Sequence, residues 1–203
     1  MNKIAHSTAF CSGRYKRAQS RSLQSGTLNN FLSNLVLCLA ARKGMVINME
    51  KRVSDSRTEQ VQILSQSTLN GYKRLFGGRL MEWIDIVAAV TARRHSNCNV
   101  TTAAVDSLEF TSAAYANDTI VLIGYVTYTG RTSMEICVKT YVESLNGERR
   151  MINRAYVVMV ALDENERPTA VPQLVCETPE EQAEWEAAAK RCELRKSRRE
   201  LKI

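Results

Sequence analysis

The chain has 203 residues, 44% hydrophobic and 24% charged, which suits one globular domain with or without an appendage and excludes proline-rich and collagen-like chains. Its net charge of +7 lies wholly in residues 1–48, which carry seven bases (Lys3, Arg14, Lys16, Arg17, Arg21, Arg42, Lys43) and no acid. The rest of the chain is neutral, so the globular part has no overall positive field to draw it to nucleic acid. The six cysteines are scattered, with no CxxC or Cys/His cluster, which argues against zinc and reads as free thiols in a reducing cytoplasm.

Residues 1–48 hold one apolar run, 31–41, too short for the ~20 residues that cross a bilayer. A basic leader before an apolar run has the order of a secretory signal, but this leader is long and Ala40-Ala41-Arg42 is a poor cleavage site. The bases form no convincing nucleic-acid arm either, since only Tyr15 interleaves with them. Met45 and Met49 stand just ahead of the first patterned segment. We therefore read 1–48 as a disordered upstream extension with a short helix near 28–41.

Residues 58–67 alternate like a strand around Val61 and Ile63. Turn signals follow at Asn70-Gly71 and Gly77-Gly78, then a helix-length segment from Arg79 to His95. On a helical wheel Leu80, Ile84, Val87, Ala88 and Thr91 share one face and Arg79, Glu82 and Arg93 the other, with Asp85 between them. Trp83 and Met81 read as core. Strands are expected over 100–110, 119–128, 133–144 and 149–162, separated by Asn117-Asp118, Thr129-Gly130 and Asn146-Gly147. Residues 179–199 read as a charged helix capped by Thr178, with Pro179 in its first turn. One strand, one long helix and then consecutive strands make an α+β fold: an antiparallel sheet wrapped around an apolar helix.

The stretch from Asn70 through Gly77-Gly78 and Trp83-Ile-Asp85 to His95 resembles the hotdog-fold acyl-CoA thioesterases. So do, in order, Asn99–Phe110, Gly130-Arg-Thr-Ser-Met-Glu135 and Arg154–Asp163. The resemblance implies a hotdog domain over 49–178, followed by a helix or tail over 179–203. It implies hydrolysis of an acyl-CoA thioester to a free acid and CoA, with no metal or organic cofactor. It also implies dimers joined edge to edge, often assembled into hexamers, with the active sites at the dimer interface. A hotdog module that binds acyl-CoA without hydrolysing it is the competing reading.

Thioester hydrolysis needs an activated water or nucleophile, a stabilised oxyanion and a departing thiolate. A Ser-His-Asp route is missing: there is no GxSxG elbow, and the only histidines are His6 and His95. A carboxylate remains, and Asp85, a poor helix former in mid-helix, is the candidate. Partial burial would raise its pKa and suit it to act as base. It either activates water or attacks the thioester to give an anhydride; the alternative is a solvated surface Asp. The resemblance places an acid at this position. The Gly77 and Gly78 amides are candidates for the oxyanion, although a tight turn would need glycine anyway. Asn70 matches an active-site Asn of relatives, or else makes a plain turn. Arg131, Thr132 and Ser133 match the segment that relatives set against the CoA pantetheine and phosphates. Thr101 and Thr102 are placed facing the site across the dimer, and Lys73, Arg74 and Arg154 near the CoA phosphates. His95 reads as meeting the helix end, and Asp106 as structural.

Overall fold

The structure, a computed structural model, describes residues 50–201. The readings made for residues 1–48 lie outside the described residues. The elements are β1 (Glu50–Arg52), α1 (Val53–Ser56), β2 (Thr58–Ile63), a 3-10 turn (Gln66–Thr68), α2 (Gly77–Ser96) and β3 (Asn99–Phe110). They continue with β4 (Thr119–Thr129), β5 (Ser133–Glu143), β6 (Arg149–Leu162), β7 (Gln173–Val175) and α3 (Pro179–Glu200). Five strands form one antiparallel sheet in the order β2-β4-β5-β6-β3, while β1 and β7 pair in parallel as a separate ribbon.

The sheet closes around α2. Leu80, Ile84, Val87, Ala88 and Ala92 are buried with Ile120, Leu122, Ile136, Val138, Ala155 and Val157 of the strands. Burial of this stripe, rather than helix propensity, is what holds α2 in place. Gly124 permits the closest approach: a Cβ there would lie 2.7 Å from both Thr91 Oγ1 and Val87 Cγ1. Trp83 is buried as expected, but Met81 is 47% exposed and is not core. It sits one turn before Asp85, on the same exposed flank of α2. β2 also departs from expectation. It ends at Ile63, and the apolar members of its alternation, Val61 and Ile63, are exposed because they lie on the uncovered face of an edge strand.

α2 ends at Asn97, whose φ of 55° lies in the left-handed region. Besides Arg93 and Arg94 in its last turn, this C-terminus meets Lys51, whose Nζ donates to Arg94 O at 2.5 Å and Asn97 Oδ1 at 3.1 Å. His95 does not take that role. It is fully buried, with Nε2 3.1 Å from Pro172 O and Nδ1 3.5 Å from Ser56 Oγ. Burial pushes its pKa down to about 4, so it carries no charge at neutral pH.

α3 begins in a capping box of Thr178 and Glu181, with Pro179 in its first turn. It covers the sheet face opposite α2. Trp185 packs on Tyr128 with ring centroids 5.6 Å apart, and Tyr156 Oη donates to Glu184 at 2.7 Å. Glu135, whose side chain is wholly buried, accepts from Arg191 at 2.8 Å and from Arg195 at 2.6 Å. Arg195 also reaches Asp106 at 2.8 Å, which gives Asp106 the structural role expected of it. No helix among the described residues is long and apolar enough to cross a membrane.

Candidate functional site

Asp85 lies on the side of α2 that faces the edge strand β3. Thr102 Oγ1 donates to its Oδ1 at 2.6 Å, a short charge-assisted bond that orients the carboxylate. Thr102 therefore serves the Asp85 of its own chain, not one across a dimer. Thr101, the next residue along the strand, points to the other face of the sheet and does not join it. Asp85 itself is exposed on the single chain, so the burial expected from sequence is not supplied by these elements alone. The reason is geometric: β3 is an edge, with no strand beyond it among the described residues.

The second cluster lies at the start of α2. Arg79 N and Leu80 N both donate to Phe76 O, and Phe76 supplies no side-chain cap. Among the described residues the Gly77 and Gly78 amides are left without an acceptor, as unpaired first-turn donors. Two aromatic rings flank them. A Cβ on Gly78 would lie 2.7 Å from the Phe76 ring, and one on Gly77 would lie 3.5 Å from the Phe110 ring. Asn70 anchors the preceding loop: its Oδ1 accepts from Tyr72 N at 2.9 Å and Arg74 N at 3.2 Å. That leaves its Nδ2 as a donor with no partner among the described residues. The turn reading of Asn70 is thus realised without consuming the donor that a site would use. Lys73 and Arg74 are exposed on this loop.

From Gly77 to Asp85 the helix rises about 12 Å, at 1.5 Å per residue. One chain therefore cannot bring its own glycine amides and its own carboxylate to a single carbonyl carbon.

The turn 130–133 sits at the Asp85 end of the sheet. Met134, next to Ser133, is in register with Met159, and Met159 with Thr102, which places the turn two strand spacings (about 10 Å) from Thr102. Its backbone is fixed by Ala161 N donating to Thr132 O and Val171 N donating to Arg131 O, and the Arg131 side chain is exposed. Arg154 stands opposite Lys139 and Glu109 on the sheet face away from α2, apart from the Asp85 of its own chain. Strand parity decides this: Ala155 and Asn153 point inward, and Arg154 between them cannot. Among the described residues no three His, Cys, Asp or Glu side chains come together to hold a metal. The Glu135–Arg191–Arg195 network was missed from sequence; a lone acid amid the apolar run of 133–138 was the available signal.

Residues 72–146 match the family model of the thioesterase superfamily. An uncharacterized acyl-CoA thioester hydrolase of Bacillus subtilis, YkhA, is 40% identical over 131 residues, which cover 64% of this chain and 76% of that protein. The mouse cytosolic acyl coenzyme A thioester hydrolase is 33% identical over 147 residues, covering 70% of this chain but 38% of its own length. A solved hexameric acyl-CoA thioesterase superimposes with a TM-score of 0.71 at 40% identity, covering 74% of this chain and 97% of the other. An acyl-CoA hydrolase from Staphylococcus aureus, solved with butyryl-CoA and CoA, gives 0.71 at 32% identity and covers 74% and 92%. Other structures of the S. aureus protein carry Ala in place of an Asp, of a Thr seventeen positions after it and of an Asn fifteen positions before it. Asn70, Asp85 and Thr102 have the same spacing.

Proposed function

The chain belongs to the thioesterase superfamily, and from that premise we propose that it hydrolyses acyl-CoA thioesters to a free acid and CoA. The observation that carries the reading is the Asp85–Thr102 pair. Thr102 holds one carboxylate oxygen, and the other is free to take a proton from water or to attack the acyl carbon. The Gly77 and Gly78 amides would bind the thioester oxygen and stabilise it as it becomes an oxyanion. Asn70 Nδ2 would orient the water or the carbonyl.

The helical separation of about 12 Å supports a site whose two halves come from different copies of the chain. The long edge of β3, unpaired among the described residues, is the surface on which two sheets can continue into one another, which would cover Asp85 and exclude water from it. The hexameric assembly of the related thioesterase supports this reading. Arg131, Thr132 and Ser133, at the Asp85 end, would meet the pantetheine arm and phosphates. The name of the mouse relative supports a cytoplasmic location.

The test is Asp85→Asn, followed by release of free CoA thiol and, separately, by CoA binding. Hydrolysis is expected to fall at least about 100-fold while binding survives. Unchanged turnover would remove Asp85 from the chemistry, and a wild-type chain that binds acyl-CoA without turnover would leave a binding module. Size-exclusion chromatography in the same buffer tests the assembly: a monomer with full activity would refute the two-copy site.

A further inference from the structure

Two buried polar atoms interrupt the apolar interior beneath α2. Thr140 and Asn153 are both fully buried, and neither Thr140 Oγ1 nor Asn153 Oδ1 has a hydrogen-bond partner among the described residues. They are direct cross-strand neighbours, so the two orphans share one locus on the face that carries the core. Asn153 is held in one orientation: its Nδ2 donates to Glu109 O at 2.8 Å, which leaves Oδ1 as an acceptor. Unpaired buried groups of this kind each cost about 1–3 kcal/mol, so two side by side need an explanation.

Their place in the fold supplies one. Asn153 stands directly opposite Phe110, and the Phe110 ring is the one that rests over Gly77. Phe110 is more than half exposed, so its ring can swing without disturbing the core. A chain attached to a carbonyl held at Gly77 and Gly78 would pass that ring and meet Asn153, then Thr140. The pair offers one acceptor and one hydroxyl. A carboxylate or ketone finds no donor at Asn153 Oδ1, and a methyl group satisfies neither atom. A hydroxyl fits both, donating to Asn153 Oδ1 and accepting from Thr140 Oγ1.

We propose that Thr140 and Asn153 form a polar floor to the acyl pocket and select hydroxylated acyl-CoA thioesters. This rests on the thioesterase reading, which it deepens by naming a substrate class. The test compares kcat/KM for butyryl-CoA, 3-hydroxybutyryl-CoA and 4-hydroxybutyryl-CoA in the wild-type chain, Thr140→Val and Thr140→Ser. The wild type is expected to favour one hydroxylated thioester over butyryl-CoA by at least about tenfold. Thr140→Val, which keeps the shape and removes the hydroxyl, is expected to lose that ratio, and Thr140→Ser to keep it. The proposal is overturned if the wild type shows no such preference, or if the preference survives Thr140→Val; a fixed water would then be what satisfies the pair. Failure of the thioesterase reading looks different: no CoA is released from any of the three.

Discussion

Gly124 is the position where a single methyl group should report on how α2 is seated. Its added Cβ would stand 2.7 Å from Val87 Cγ1 and Thr91 Oγ1 and 3.5 Å from Val87 O. Comfortable separations are about 3.5–4.0 Å, so the shortfall is about 1 Å. Neither neighbour can yield. Val87 is β-branched and 1% exposed, and Thr91 Oγ1 is tied to Val87 O at 2.8 Å. In Gly124→Ala the helix itself must lift from the sheet. Overpacking of this size costs about 1–3 kcal/mol, partly offset by about 0.4–1 kcal/mol from stiffening the unfolded chain. The net loss of about 1–2 kcal/mol corresponds to a Tm lower by about 2–8 °C, read by circular dichroism at fixed protein concentration. Because Asp85 rides on the same helix, a displacement near 1 Å would also loosen the 2.6 Å bond from Thr102 and lower kcat by up to about 100-fold. Adding Val87→Ala to Gly124→Ala should cost less than the sum of the two single changes, since each relieves the other. A Tm within about 1 °C of wild type, or strict additivity, would refute the claim that α2 seats on Gly124.

Glu135→Ala should cost about 3 kcal/mol in chemical denaturation, the low end for breaking a buried ion pair, because Arg191 keeps Glu184 and Arg195 keeps Asp106. An unchanged midpoint would mean that α3 is held by its apolar contacts alone. Thr140→Val should hold or raise Tm, since it removes a buried hydroxyl with no partner among the described residues, whereas a fall of several degrees would show that the hydroxyl is satisfied. His95 has its pKa held at about 4 by burial, against about 6.5 unfolded. Between these values the unfolded chain binds the extra proton, so stability present above pH 6.5 declines as pH falls toward 4, by up to about 3 kcal/mol. His95→Gln should flatten that part of the stability–pH curve, and an unchanged slope would place the titration elsewhere. Lys51, which works against a charge on His95, and Asp55, which favours one, are the nearby charges that modulate it.

The main elements were legible in the sequence because each carries its own period. β3 to β6 and α2 appear within one or two residues of where alternation, the helical wheel and the turn signals put them. The three-residue strands β1 and β7 were not legible, since so short a segment has no period to read and they exist only by pairing with each other. Asp85 stood out as a poor helix former in an apolar helix, but its partner did not. Thr101 and Thr102 look alike in sequence, and only the register of β3 against β6 decides which of them turns toward the helix. The same parity sends Arg154 to the far face, although its charge alone qualified it for phosphate. Local chemistry thus names candidate groups, while the pairing of distant strands assigns each side chain to one face of the sheet. That assignment depends on which residues oppose one another across the sheet, and no stretch of the chain contains it.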